Sequence, residues 1–198
     1  MNNYFIVHKP FNVLCQFSAA DNKKTLKDFF KVPPHVYPVG RLDYDSEGLL
    51  ILTDDKKLNQ FLLNPLRGHE REYWVQVEGE ITAHAIEKLQ QGVAVNIQGK
   101  IYHTRNCRVE KFFSPPQVTE RNPPIRTRKT IPDSWISITL SEGKNRQVRK
   151  MTAHVGFPTL RLIRYRIGKI TIEGLNPGEM KVLSQRELYN LLPIKNES

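Results

Sequence analysis

Cysteine is almost missing from this chain. Cys15 and Cys107 stand far apart with no second thiol near either, which excludes a disulfide scaffold and predicts a reduced, cytoplasmic protein. Long apolar runs are missing as well. Leu49–Leu52 is among the longest uninterrupted aliphatic stretches, far short of the roughly 18 residues of a membrane helix. The opening Met1-Asn2-Asn3-Tyr4-Phe5-Ile6-Val7-His8-Lys9 has neither the basic start nor the apolar stretch of a signal peptide. No Gly-x-Gly-x-x-Gly and no P-loop occurs, so no nucleotide cofactor is expected. The six histidines (His8, His35, His69, His84, His103 and His154) lack paired ligand spacing, so no metal site is expected either. No serine sits in a Gly-x-Ser-x-Gly nucleophile elbow.

Acid is the scarce charge. Lys and Arg number 30 against 20 Asp and Glu, a net of +10. The pI is near 9.7, above the value of about 9 that suggests a nucleic-acid binder. Residues 1–99 carry 11 cations and 12 acids, residues 100–198 carry 19 and 8. The whole excess lies in the second half, which can present one positive face to a polyanion. A merely basic soluble protein would have the same balance. Anionic lipid would also suit a basic face, but no amphipathic anchor accompanies it. With 198 residues, 39% of them hydrophobic, a single domain over 1–198 is expected.

The pattern along the chain alternates strands and helices. Tyr4–His8 and Asn12–Phe17 read as strands around Lys9-Pro10, a hairpin. Thr25–Lys31 reads as one short helix ended by Val32-Pro33-Pro34. Gly48–Leu52 suits a strand buried on both faces, and Thr53 or Asp54 can cap a helix running to Leu63. Glu72–Glu78 alternates, with Tyr73, Val75 and Val77 on one face and Trp74 and Gln76 on the other. Thr82 caps a helix to Gln91, closed by Gly92. Strands follow near Val93–Ile97 and Ile101–Lys111.

Residues 114–134 hold five of the 13 prolines together with Arg121, Arg126, Arg128 and Lys129. Such proline density forbids regular structure, and the length exceeds an ordinary connection, so a basic insertion or functional loop is expected. Trp135–Leu140 reads as a strand, Asn145–Val155 as a helix and Thr159–Ile167 as a strand. Ser184-Gln185-Arg186-Glu187 has the spacing of a capping box opening a final helix. Strands joined by hairpins or by helices of about ten residues favour an α+β fold with a largely antiparallel sheet.

Three segments could carry chemistry. In Gly40-Arg41-Leu42-Asp43-Tyr44-Asp45-Ser46-Glu47-Gly48, three acids at alternate positions precede a glycine and Asp54 falls twelfth. That nearly spells an EF-hand, but the twelfth ligand should be a bidentate Glu and two helices should flank the loop. A buried-strand pattern runs through its second half instead. Taken singly, each carboxylate reads first as capping a turn or solvating a loop tip.

The second segment is Glu142-Gly143-Lys144-Asn145-Arg146-Gln147-Val148-Arg149-Lys150-Met151. Val148, Met151, Thr152 and Val155 cluster on one side of a helical wheel and Arg146, Arg149 and Lys150 on the other. Between residues 141 and 169 eight cations face Glu142 alone. A solvated face would mix signs, whereas a phosphate-binding face leaves the negative charge to its partner. The third candidate is Tyr73, which on its own reads as an inward strand aromatic.

Gly40-Arg41-Leu42-Asp43-x-Asp45-Ser46-x-Gly48-Leu49-Leu50, Glu72-Tyr73-x-Val75, Glu142 to Met151, and Leu162-x-Arg164-x-Arg166-Ile167-Gly168 occur in this order. In these motifs the chain resembles the RsuA-like branch of the pseudouridine synthases. The resemblance implies that family's catalytic fold: an α+β, largely antiparallel mixed sheet with flanking helices, in two halves around a central cleft. Many relatives begin with an S4-type RNA-binding domain. Here the catalytic pattern starts at Tyr4, so no S4 domain is expected and RNA affinity must come from the catalytic domain.

The resemblance implies isomerisation of one uridine in large-subunit (23S) ribosomal RNA, free or in a partly assembled subunit, by a monomer that needs no cofactor. Asp43 is implied as the essential carboxylate, acting on C1′ or on a 2′ proton. Burial opposes its charge, and Arg149 is implied as the guanidinium that keeps it ionised. Val148 packs beside the base, Tyr73 lies against the uracil, and Arg41 fills the space of the flipped nucleotide. Lys144, Asn145, Arg146, Lys150, Arg164 and Arg166 are expected RNA contacts. Arg126, Arg128 and Lys129 would make the Pro-rich loop a grip on phosphates. Two other readings fit parts of the sequence: a non-catalytic RNA-binding or ribosome-assembly protein, and a two-carboxylate glycosidase using Asp43 with Asp45 or Glu47.

Overall fold

Two apolar runs near the N-terminus find each other. β1 (Tyr4–Lys9) is buried along its whole length. In the stretch that follows, β2 (Val13–Leu14) pairs in parallel with β3 (Lys24–Thr25), and β4 (Tyr37–Pro38) lies on β5 (Glu47–Thr53). β5 contains the Gly48–Leu52 run. It is buried at all seven positions and pairs antiparallel with β1, Tyr4 opposite Thr53 and Lys9 opposite Gly48.

The hairpin expected around Lys9-Pro10 does not form, because β1 and β2 take other partners. The reason lies at the turn. Pro10 has no N–H to give a ladder, Asn12 adopts φ 54°, and the Lys9 ammonium turns inward onto the Pro10 and Val13 carbonyls. The helix expected over Thr25–Lys31 contracts to one 3₁₀ turn, Leu26–Asp28, with the Thr25 N–H donating to Asp28 at 2.7 Å.

This computed structural model describes residues 2–125 and 130–192. They form two compact units, one built from the chain up to His69 and from Arg164 onward, the other from Glu70–Ile163. In the first unit α1 (Lys56–Leu63) follows β5.

The second unit contains β6 (Arg71–Glu78), α2 (Ala83–Gln91), β7 (Ala94–Ile97), β8 (Lys100–His103), β9 (Arg108–Lys111), β10 (Asp133–Leu140) and α3 (Gln147–His154). β10 pairs antiparallel with β6 on one side and β9 on the other. Val75, Val77, Leu89, Ile136, Ile138 and Met151 fill its core. The single strand expected over Ile101–Lys111 is two strands in different sheets. Between them the chain turns away at Thr104, whose hydroxyl accepts from the Val93 N–H and whose own N–H donates to the Val93 carbonyl.

β11 (Thr159–Ile167) carries the chain back into the first unit. There β12 (Ile170–Thr171) turns back on β11, β13 (Met180–Val182) pairs antiparallel with β1, and α4 (Gln185–Leu191) ends the described chain. The Ser184/Glu187 capping box forms as the spacing predicts. Among the described residues no helix is long and apolar enough to cross a membrane.

The cap of α1 is Asp55, not Thr53 or Asp54. Asn3, 51 positions upstream, takes both oxygens of Asp54 through its backbone and side-chain nitrogens, and its carbonyl takes the Thr53 hydroxyl. Asp55 is left to accept from the Lys57 and Leu58 N–H groups, and also from the Tyr4 hydroxyl at 2.8 Å and the Tyr189 hydroxyl at 2.9 Å. Burial opposes its charge, but the hydrogen bonds from the Leu58 N–H, Tyr4, Tyr189 and Asn2 outweigh burial and hold the carboxyl below its ordinary value. Conversely burial, and then the bond to Asp55, push the Tyr4 hydroxyl up to about 12.

Hydrogen bonds to a buried charge contribute roughly 1.5–3 kcal/mol each, and removing the carboxylate strands the buried Tyr4 hydroxyl and the half-buried Tyr189 one. Asp55→Ala is therefore expected to cost about 4 kcal/mol in urea unfolding at neutral pH. A folded-state value below the unfolded one means the contribution is complete above the ordinary carboxylate range, about 4, and fades as pH falls through the folded value. The gap between wild type and variant should accordingly narrow below about pH 4. A loss under about 1 kcal/mol, or a gap indifferent to acid, would remove Asp55 as the tie between β1, α1 and α4.

Candidate active site

One group of candidate residues lies on the loop between β4 and β5 of the first unit. Its base closes where the Val39 N–H donates to the Ile51 carbonyl at 2.8 Å. At its tip the Ser46 N–H donates to the Asp43 carbonyl at 3.1 Å, making a tight turn over Tyr44 and Asp45. Leu42 is buried and roots the loop in the unit, while Arg41 is exposed and Asp43 half-buried. Gly40 adopts φ 73°, and a side chain there would press on Leu63 of α1.

Beneath the turn lies Lys9, fully buried. Its ammonium donates to the Val13 carbonyl at 2.8 Å, to Pro10 at 3.0 Å and, at the outer limit of 3.5 Å, to Tyr44. Burial pushes this amine down to about 8, against the opposing fields of Cys15, Glu47, Asp45 and Asp43. A cation thus sits within reach of all three acids that suggested an EF-hand. Glu47, the third of them, is buried at the start of β5. Among the described residues no three metal-ligating side chains come together.

Arg164 and Arg166 also belong to this unit. The Arg164 side chain is buried, and its Nε donates to the Leu49 carbonyl at 2.7 Å. Its backbone runs so close to Gly48 (φ 111°) that a Cβ on the glycine would lie 2.4 Å from the Arg164 carbonyl oxygen. The two motifs are locked together at this point. Arg166 is half-buried and caps the Gly168 carbonyl at 2.6 Å.

A second group of candidate residues belongs to the other unit. Tyr73 stands on β6 opposite Ile138 and packs with Val148 of α3 in the same apolar cluster. The alternation of β6 matches the sequence expectation, with Val75 and Val77 inward and Trp74 against Phe112. The apolar side of α3 also matches: Val148, Met151 and Thr152 are buried, and Val155 packs against the cluster. The helix starts at Gln147, because Arg146 takes the left-handed φ 52°, ψ 31° in front of it. Lys144, Asn145 and Arg146 form an exposed tip, and Arg149 and Lys150 are half-buried.

Sequence reasoning missed what holds this tip. Glu142 is buried and binds the Tyr102 hydroxyl, the Arg105 N–H at 3.0 Å and the Gln147 amide at 2.6 Å. Gln147 in turn accepts from the Lys144 N–H at 2.9 Å. A lone acid among cations was the available signal, since it has to be spent on something nearby.

Of the Pro-rich loop, Thr119 is tied down by buried Arg161, whose Nη2 donates to its carbonyl at 2.8 Å, and Arg121 folds back onto the Pro123 and Pro124 carbonyls. Arg126, Arg128 and Lys129 lie outside the described residues.

A turn-borne carboxylate in the first unit, and separately an aromatic and a cationic helix in the second, can be set beside known proteins. Residues 3–154 match the profile of the RNA pseudouridylate synthases. Ribosomal large subunit pseudouridine synthase E of Vibrio vulnificus is 49% identical, over 90% of this chain and 74% of its own length. The protein of the same name from Xanthomonas campestris pv. campestris is 46% identical, over 89% and 93%. The dual-specificity RNA pseudouridine synthase RluF of Escherichia coli is 31% identical, over 97% of this chain and 58% of its own. Among solved structures, one described as a crystal structure of pseudouridylate synthase superposes with a TM-score of 0.78 at 26% identity, over 96% of this chain and 74% of that one. Motifs, fold and relatives agree, and the chain belongs to the RNA pseudouridylate synthase family, whose members are isomerases.

Proposed function

We propose that this enzyme converts one uridine of large-subunit (23S) ribosomal RNA to pseudouridine, acting in the cytoplasm as a monomer, on free RNA or a partly assembled subunit. The relatives of highest identity named above act, by their names, on the large ribosomal subunit. The observation that carries the reading is Asp43 at the tip of a loop pinned at its base and across its turn. A loop fixed through its backbone holds the carboxylate it carries in a defined place for chemistry.

The reaction breaks the N1–C1′ bond, turns the uracil and joins C5 to C1′, so neither redox state nor composition changes and no cofactor is called for. Asp43 works on the sugar, at C1′ or at the 2′ proton, and either role requires it ionised. Arg149 supplies the countercharge during the reaction. Tyr73 lies against the uracil, with Val148 supporting it. Arg41, exposed beside Asp43, fills the stack that the base leaves. Flipping costs a few kcal/mol and least where RNA is unpaired, which favours loops and bulges as targets. Lys144, Asn145, Arg146, Lys150 and Arg166, with Arg126, Arg128 and Lys129, contact the RNA, and Arg164 acts from beneath through β5.

The test is incubation of the enzyme with unmodified large-subunit ribosomal RNA, followed by carbodiimide treatment and primer extension. One new stop is expected. Absence of a stop with RNA binding intact would point to a non-catalytic RNA-binding protein instead.

A further inference from the structure

Residues 134–172 contain one acid, Glu142, and it is buried. A lone carboxylate among cations would ordinarily pair with them at the surface. Here the Lys144 ammonium lies 5.0 Å over the Tyr102 ring and the Lys150 ammonium donates to the Asn96 carbonyl at 2.7 Å. The exposed Arg105 guanidinium stands 3.8 Å from the carboxylate.

Neutral donors occupy Glu142 instead. One oxygen accepts from the Arg105 N–H at 3.0 Å and from the Gln147 amide at 2.6 Å, and the other accepts from the Tyr102 hydroxyl. The bond to Glu142, and then burial, push that hydroxyl above its ordinary value, so it remains a donor.

Gln147 is buried as well and passes the constraint on. Its Oε1 accepts from the Lys144 N–H at 2.9 Å, while its own N–H donates to the Lys144 carbonyl at 3.1 Å. The turn over Asn145 and Arg146 is thereby pinned twice. Arg146 holds φ 52° within it, a conformation unfavourable to a residue with a Cβ and kept only where its surroundings dictate it. Its carbonyl then accepts from the Lys150 N–H at 3.1 Å, opening α3. Tyr102, Glu142, Gln147 and Lys144 thus form a closed circuit of contacts around the start of the helix.

We infer that Glu142 and Gln147 are positioning residues for the reaction: both are withdrawn from RNA, and together they fix the Lys144–Arg146 tip and the first turn of α3, which carries Arg149. The inference rests on the proposed function, in which Arg149 supplies the countercharge. Stability alone does not account for the circuit. Val148, Met151 and Thr152 already seat α3 by burial, and apolar residues at 142 and 147 would fill the same space without the cost of desolvating a carboxylate. What the circuit adds is a single geometry for the turn.

Gln147→Met tests it in the full chain. Methionine keeps the length of the side chain and the charge of the protein while removing both side-chain hydrogen bonds. Pseudouridine formation is measured on transcribed large-subunit ribosomal RNA over a range of RNA concentrations. The expected result is a fall of about tenfold in kcat, the scale of a small misplacement at a reacting centre. KM should stay within about twofold, because no phosphate-binding charge is lost. Exchange of the Lys144 amide hydrogen, followed by NMR, should quicken at least about fivefold as its acceptor disappears.

Glu142→Leu should reproduce the fall in kcat, and the double variant should match the poorer single within about twofold, since the two residues act in series. Glu142→Gln is the conservative variant and should keep kcat within about threefold of wild type. Its carbonyl still accepts from Gln147 and Arg105, and the Tyr102 hydroxyl turns to accept from its amide.

Wild-type kcat in Gln147→Met overturns the inference, even if Glu142→Leu fails to fold. So does a fall in kcat accompanied by a lower melting temperature and a proportionate rise in KM, or a double variant whose losses multiply. A wild-type chain that binds the RNA and forms no pseudouridine overturns the proposed function and this inference with it. An active wild type beside equally active variants overturns the inference alone.

Discussion

Asp43→Asn should leave RNA bound and unchanged. The substitution keeps the size of the side chain, and the turn at Asp43 is closed through its backbone carbonyl, which the substitution retains. The loop base at Val39 and the buried Leu42 are equally untouched. What disappears is the negative charge, which either action on the sugar requires. We expect pseudouridine formation to fall at least about a thousandfold, on the order of 4 kcal/mol in the barrier. RNA affinity measured by filter binding should stay within about threefold of wild type, because phosphate contacts from the cationic helix supply it. Parallel loss of activity and binding, or a lowered melting temperature, would make Asp43 a structural residue.

Gly48→Ala should be the most damaging single-methyl change in the first unit. Two penalties coincide there. The backbone sits at φ 111°, where a side chain is strained, and the new Cβ would lie 2.4 Å from the Arg164 oxygen and 2.6 Å from its nitrogen. Both obstacles are main chain, which cannot swing aside. Backbone strain of about 1–3 kcal/mol adds to an overpacking cost of similar size, so a loss of about 4 kcal/mol and roughly 10 °C in melting temperature is expected. Gly143→Ala is the control, because a Cβ there meets nothing within 4 Å. It should change stability by less than about 0.5 kcal/mol. If the two variants melt together, the close approach of β5 and Arg164 is not a constraint on the fold.

Elements with one dominant cause were legible in the sequence. The continuous apolar run became β5, the alternation at Tyr73–Val77 became β6, and the wheel of Val148, Met151 and Thr152 set the buried side of α3. Thr82 and Ser184 capped the helices their spacing announced.

Failures came where a distant residue chose between equal local options. Thr53, Asp54 and Asp55 are all competent caps, and Asn3 decided among them by occupying the first two. Arg164 stands in a run of cations read as facing RNA, yet a carbonyl 115 positions away, that of Leu49, draws it inside. The motifs name candidate residues, Asp43, Tyr73 and Arg149 among them, by residue type and order alone. They do not name the supports: Lys9 under the Asp43 turn and Glu142 under the Lys144 tip earn their places through tertiary contacts alone.

The second unit is one uninterrupted stretch, Glu70–Ile163, whereas the first is made from the segments on either side of it. During synthesis, which proceeds at about 5–20 residues per second, the inserted stretch has every partner available once Ile163 has emerged. The flanking unit must wait for Arg164 to meet Gly48, for β13 to zip onto β1, and for Tyr189 to reach Asp55. The loop that carries Asp43 therefore gains its frame only after Tyr189 has emerged, and a nascent chain cut short before that point carries the aspartate without its scaffold.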